Sequence, residues 1–258
     1  MTNTASATKQ IVITGYGVIS TCGDATADLP DLPLQQANGV ILDFKLETYL
    51  QSQKTYLDRC SSLALAACAL ALKSADVELP FGEEEAHRFG IVLGTHLGCV
   101  ETMKAFWDKA VERGVRVANP LLFSHSYYNT PISLCAIEFG LKGYHTTLCA
   151  GSRSGLEAIR AGYDAIRVGH ADAVVCGGVE AYTPTRQMLE PDGNAGEAAA
   201  FFVLESAERA AGRGVKSTAT VNDDLLNEAE AGTGQARTQF GHCGGAESAL
   251  AFYRALLV

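Results

Sequence analysis

Four stretches of this chain are built around almost unbroken apolar runs: QIVITGYGVIS (10–20), HRFGIVLGT (87–95), ADAVVCGGVE (171–180) and EAAAFFVLES (197–206). Strands that show an apolar side chain at nearly every position are buried on both faces, so a covered sheet is the first constraint on the fold. KSTATV (216–221) is a weaker strand candidate. Helical patterns fill the intervals. KTYLDRCSSLALAACALALKSA (54–75) is apolar nearly all round and predicts a buried helix. LGCVETMKAFWDKAVERG (97–114) is amphipathic, SGLEAIRAGYDAIRVG (154–169) puts Leu156, Ile159, Tyr163 and Ile166 on one face, and GAESALAFYRALL (245–257) also reads as helix. Alternation of strand and helix predicts a layered α/β fold with a mainly parallel sheet. The turn-rich segments 20–39 and 180–196, the latter carrying Pro184 and Pro191, read as loops. With no fixed-period repeat and no interdomain linker, one domain is the simplest organisation for 258 residues.

A formal net charge of −9 argues against nucleic acid or an anionic membrane as partner. No stretch approaches a membrane span, and the first ten residues lack the apolar region of a signal peptide. The eight cysteines contain no C-x-x-C pair and lie mostly in apolar or small-residue runs. They read as reduced, buried thiols of a cytoplasmic protein, with no disulfide framework and no zinc site.

Three motifs bear on chemistry. Gly15-x-Gly17 follows a strand, but Gly23, Pro30 and Pro33 interrupt the helix a dinucleotide site needs, so a tight turn is expected there. TTLCAGSRSG (146–155) breaks from a β-branched run into a small-residue turn ahead of a helix, the architecture that exposes a nucleophile at a helix N-terminus. It offers Cys149, Ser152 and Ser154. It does not fit the G-x-S-x-G elbow, because Gly151-Ser152-Arg153-Ser154-Gly155 centres on arginine. Ser152 is expected to cap the following helix, and Cys149, inside the run, to be buried. None of the six histidines shows metal-site spacing, and His242, in FGHCGGAES, is the one best placed for a site.

Taken together, these stretches resemble the β-ketoacyl synthases, which have the thiolase fold. IVITGYGVIS resembles that family's opening strand, DRCSSLALAACALAL its first long helix, and GIVLGTHLGCVET its second strand and glycine turn. The run from NPLLFSHSYYNTP through TTLCAGSRSG to ADAVVCGGVEAYTP follows it almost without a gap. The resemblance implies a single ketosynthase-like domain over 1–258, with a thiolase-like N-terminal half at 10–206 and a shortened C-terminal remnant at 207–258, a truncated form of the fold.

The departures shape the expected function. The family's nucleophilic cysteine is matched by Ser152, whose hydroxyl a helix terminus cannot ionise and which therefore needs a general base. Of the family's two histidines, EAEAGTG puts Ala231 at the first and GHCGGA keeps the second as His242. Arg237 stands where the family has a lysine. The loop after GGVEAYTP is short, and the family's C-terminal oxyanion loop has no counterpart before Val258. The resemblance thus implies a degenerate subunit like the chain-length factor of type II polyketide synthases, producing an aromatic polyketide or polyene. It would pair with an active ketosynthase, meet an acyl carrier protein through that partner, and use no cofactor and no metal. His145, Thr146, Thr147, Leu148 and Cys149 would lie at the interface. Met103, Phe106 and Trp107 would line the acyl tunnel, with Tyr127 and Tyr128 as weaker candidates; the alternative for the first three is ordinary core. Two other readings stand beside this one: a serine-dependent acyltransferase or thioesterase using Ser152 with His242 as base, and a homodimeric scaffold.

Overall fold

The computed structural model describes residues 9–28, 31–32, 39–191 and 194–257. Residues 1–8 and the prolines Pro30 and Pro33, used above, lie outside them. Among the described residues, seven strands form one sheet: β1 (Ile11–Ser20), β2 (Gly23–Thr26), β3 (Phe89–Gly94), β4 (His145–Leu148), β5 (Ala173–Glu180), β6 (Ala198–Ser206) and β7 (Ala219–Val221). Their order is β2-β1-β6-β5-β3-β4, and β7 pairs with the Ile11–Ile13 end of β1. The helices are α1 (Arg59–Ser74), α2 (Glu83–Arg88), α3 (Val100–Arg113), α4 (Pro120–Ser124), α5 (Thr130–Phe139), α6 (Ser154–Arg167), α7 (Pro184–Leu189), α8 (Ala207–Gly212), α9 (Asp223–Ala231), α10 (Thr233–Phe240) and α11 (Glu247–Ala255).

The sheet is mixed, which corrects the expectation of a mainly parallel one. β3 pairs in parallel with β4 and β5, whereas β1–β2, β1–β6, β1–β7 and β5–β6 are antiparallel. The long helix-bearing connections do return β1, β3, β4 and β5 in one direction. Among its described residues the segment between β5 and β6 carries only the short α7, and it turns the chain straight back.

Both faces are covered, as the apolar runs require. One core joins Ile11, Ile13, Phe202 and Leu204 to Leu156 and Ile159 of α6 and to Phe240, Leu250 and Phe252 of α10 and α11. The other joins Phe201, Val203, Ile91 and Leu93 to Leu63, Ala67 and Ala71 of α1 and Ile132 of α5. Alternate residues of β6 therefore feed opposite cores.

Gly15 and Gly17 do not form a turn; they lie inside β1. A Cβ on Gly15 would stand 2.3 Å from the Ala75 nitrogen, and one on Gly17 would stand 2.4 Å from the Ala67 oxygen. Glycine at these positions lets the alanine-rich helix α1 press its backbone onto the strand. That helix starts at Arg59 rather than at 54 because the Asp58 carboxylate accepts the Cys60 N–H at 2.8 Å. The other Asp58 oxygen takes the Thr102 hydroxyl at 2.6 Å, which moors α3 to α1.

The loop expected at 20–39 contains β2, a short polar strand whose hairpin turn uses Gly23 at φ +116. It lacks an apolar alternation, so no periodicity marks it. Among the described residues, no helix is long and apolar enough to cross a membrane.

Candidate functional site

Because β3, β4 and β5 are parallel, their carboxyl ends open on one side, where α/β sheets place sites. Three segments converge there: the turn after β3, the turn 149–153 leading into α6, and Glu180 at the end of β5. A fourth, residues 241–248, comes up from the C-terminal part. Close packing needs residues without side chains: a Cβ on Gly94 would lie 2.1 Å from the Ser154 oxygen, and one on Gly245 would lie 2.4 Å from Thr95 Cα.

Of the three candidate nucleophiles, Ser154 is structural. Buried at the start of α6, its Oγ accepts the Ala150 N–H at 2.8 Å and its single proton lies within reach of the Gly151 and Thr95 carbonyls, at 2.7 and 3.0 Å. Ser152 is not the cap that was expected. Arg153 occupies the N-cap position without a side-chain bond, and the Leu156 N–H is taken by Ser248 Oγ at 3.0 Å. Ser152 is half-buried; its carbonyl accepts the Ser248 N–H at 3.3 Å, and among the described residues its hydroxyl makes no hydrogen bond. Cys149 is exposed, not buried, because the chain has already left the sheet at Leu148; the other seven cysteines are buried, and all eight are free. Partial burial, then the Glu180 carboxylate, push the Cys149 thiol above its usual range, so it is no poised thiolate.

His242 is held on both sides. Its Nδ1–H donates to Glu247 Oε2 at 2.7 Å, and its Nε2 stands 3.9 Å from Glu190 Oε1. Glu247 also takes Arg237 Nε at 3.0 Å, so Arg237 and His242 do share one site, through a residue the sequence reading missed. Glu190 Oε1 meets His96 Nε2 at 3.2 Å, and Glu190 Oε2 accepts Arg186 Nε at 3.0 Å. Arg186 is fully buried; its remaining donors reach the carbonyls of Ala181 (3.3 Å), Gly196 (2.8 Å) and His242 (2.5 Å). Burial works against the Glu190 carboxylate, yet its bond to Arg186 and the charges of Arg186, His242 and His96 outweigh it and hold the group below its usual range. Glu180, fully buried, accepts backbone N–H groups from His96 (2.7 Å), Leu97 (3.1 Å) and Gly245 (2.8 Å). Desolvation still raises it, against the pull of Arg186 and those three donors.

This arrangement organises charge without assembling a nucleophile and its base. No hydrogen bond joins His242 to Ser152. Ala231 lies apart from the cluster, at the end of α9 in a groove with Gly232, Gln235, Ala251, Arg254 and Ala255. Among the described residues, no group of three His, Cys, Asp or Glu is arranged to hold a metal ion. The only sequence signals for the missed members were the i,i+4 spacing of Arg186 and Glu190 and the glutamate five residues after His242.

The expected tunnel residues are not ordinary core. Met103 and Phe106 are half-buried and Trp107 is 56% exposed. Phe106 packs edge-on to Trp107 and against Phe123, which meets Tyr127, with ring centroids 5.1–5.6 Å apart. Val111, Val115, Val117, Leu121 and Tyr128 are also exposed in this region. The interface candidates His145, Thr146, Thr147 and Leu148 form β4, the last strand of the sheet, and Cys149 follows it.

The sequence profile of the β-ketoacyl synthase N-terminal domain matches residues 41–193. The 3-oxoacyl-[acyl-carrier-protein] synthase 2 of Staphylococcus aureus (strain COL) is 23% identical over 259 residues, covering 84% of this chain and 62% of that protein. The tetracenomycin polyketide synthase ketoacyl synthase alpha subunit of Streptomyces glaucescens is 31% identical over 203 residues, covering 69% of this chain and 47% of that protein. The chain thus spans less than two thirds of the length of these relatives. Among solved structures, the ishigamide ketosynthase/chain length factor superposes with a TM-score of 0.75 at 20% identity, over 95% of this chain and 84% of that one. A type II polyketide synthase acyl-carrier protein in complex with its ketosynthase bound to the hexaketide gives 0.78 at 16% identity, over 97% and 90%. These likenesses establish the thiolase-like fold.

Proposed function

We propose that this chain, which belongs to the β-ketoacyl synthase family, is a chain-length-factor-like subunit that pairs with an active ketosynthase in type II polyketide biosynthesis. In this reading residues 1–258 act as one ketosynthase-like domain, with 10–206 as its thiolase-like half and 207–258 as a shortened remnant, in a cytoplasmic assembly. The observation that carries it is the pairing of an open sheet edge with a large unpartnered apolar surface. Among the described residues β4 has no strand beyond it, and α3, α4 and the turns around them expose Trp107, Val111, Phe123 and Tyr127. Apolar patches and bare strand edges are features that protein partners cover. The uncoupled Ser152 and the doubly held His242 support a non-catalytic role. Met103 and Phe106 are the proposed chain-length determinants, and an acyl carrier protein would be met through the partner.

The test is native mass spectrometry of the chain co-expressed with a complete ketosynthase from its own genomic neighbourhood. A one-to-one heterodimer is expected, and Val111→Glu with Phe123→Glu should abolish it while leaving the isolated chain folded, since both side chains are exposed. A stable homodimer that ignores the ketosynthase would sink the proposal. Stoichiometric acylation of Ser152 would favour the serine acyltransferase reading, which the absence of a Ser152–His242 bond opposes.

A further inference from the structure

Glu190 reaches into the site from the residue that follows α7, and the groups that hold it are Arg186 on α7 itself and two histidines from other places in the chain. Its two oxygens are received separately, Oε2 by Arg186 Nε at 3.0 Å and Oε1 by His96 Nε2 at 3.2 Å, with His242 Nε2 at 3.9 Å from the same Oε1. Two of these three arms stand without help from Glu190. Arg186 is tied down by the carbonyls of Ala181, Gly196 and His242, and the His242 ring is oriented by Glu247. A guanidinium edge on one side and imidazole nitrogens on the other suit a planar two-oxygen anion better than a spherical one. The negative groups around them, Glu180 and Glu247, are already occupied, the first by three backbone N–H donors and the second by Arg237 and His242.

We propose that Arg186, His96 and His242 form a carboxylate-binding cradle and that the chain's own Glu190 occupies it, closing the cradle to any carboxylate-bearing ligand from outside. The proposal rests on side-chain geometry alone and stands whether or not the chain pairs with a ketosynthase. It assigns Glu190 the role of a built-in occupant: the site recognises a short-chain carboxylate, and the protein supplies that group itself.

Glu190→Ala deletes a CH₂–COO⁻ fragment, the size of acetate, so acetate is the probe. The variant is expected to melt roughly 6–20 °C below the wild type, as a broken, largely buried charge pair does. Acetate at 100 mM should restore at least half of that loss, saturably, while chloride at equal ionic strength does not. In NMR titrations the acetate response should be confined to His96, Arg186 and His242, and the wild type should show none. If Glu190→Ala does not fold, Glu190→Gln is titrated instead; acetate must then displace an amide, and weaker but still saturable binding at the same residues is expected. No saturable acetate response in the variant that folds, an equal response to chloride, or equal acetate binding by the wild type would overturn the proposal.

Discussion

Replacing Arg186 with lysine tests whether the site is held by hydrogen-bond geometry or by charge and bulk. The guanidinium spans four acceptors at once: Glu190 Oε2 and the carbonyls of Ala181, Gly196 and His242. A lysine ammonium keeps the charge but is a point donor that cannot fan across the same four positions. Two or three bonds from a charged donor should be lost, each worth about 1.5–3 kcal/mol where the acceptor stays buried. Glu190 and His242 are each about one-fifth exposed, so water recovers part of this. The net cost is about 3–5 kcal/mol. For a chain of this size that lowers Tm by about 6–20 °C. Urea unfolding followed by circular dichroism measures the loss directly, with an unchanged m-value showing that the native state stays compact. Arg186→Met serves as the second arm. If hydrogen-bond geometry holds the site, Met should be worse than Lys, because it leaves all four acceptors and the buried Glu180 without a cation. Stability of Arg186→Lys within about 1 kcal/mol of the wild type would refute the reasoning, as would a methionine variant more stable than the lysine one.

Three further outcomes follow from particular residues. Gly17→Val should cost about 3 kcal/mol, the upper end for overpacking, because its Cβ meets the Ala67 oxygen and Leu70 Cβ inside ordinary contact distance; thermal melting checks this, and a stabilised variant would restore the turn reading of the motif. Glu180 is held above its usual carboxylate value by burial, so the folded protein keeps that proton longer than the unfolded chain. Its contribution to stability is therefore full below the ordinary carboxylate range and is lost as pH rises through the folded value; Glu180→Gln should flatten that slope in a pH series of urea midpoints. Native thiol labelling should modify one cysteine of eight, Cys149, with a rate still climbing above neutral pH because its thiol is raised, and all eight after unfolding; two or more fast-reacting thiols in the native state would contradict the burial of the others.

The strands could be read from sequence wherever burial on both faces left an apolar run, as in β1, β3, β5 and β6, and α1 could be read from its alanine-rich periphery. β2 could not, since it is polar and held by a hairpin turn, and neither could α5, whose apolar run has no amphipathic stripe. Ser152 and His242 stood out from their local motifs, whereas their family roles, and Arg237 as a position at all, were legible only through the family resemblance. Cys149 was misread because a local run of β-branched residues says nothing about where the strand leaves the sheet. Trp107 was undecided for the same reason: an amphipathic helix shows which face is apolar, not whether anything covers it.

What the sequence determined by itself is the layered α/β character, the family, and the serine at the nucleophile position. These are properties of short segments, where periodicity and residue type act within a turn or two of chain. Only the tertiary structure decided the direction of the strands around β6, the exposure of the aromatic surface and the cluster of His96, Arg186, Glu190, His242 and Glu247. Those residues lie in three separate regions of the chain, and each is ordinary in its own neighbourhood. The cluster's chemistry exists because parallel strands deliver their carboxyl ends to one side, where the C-terminal segment closes over them.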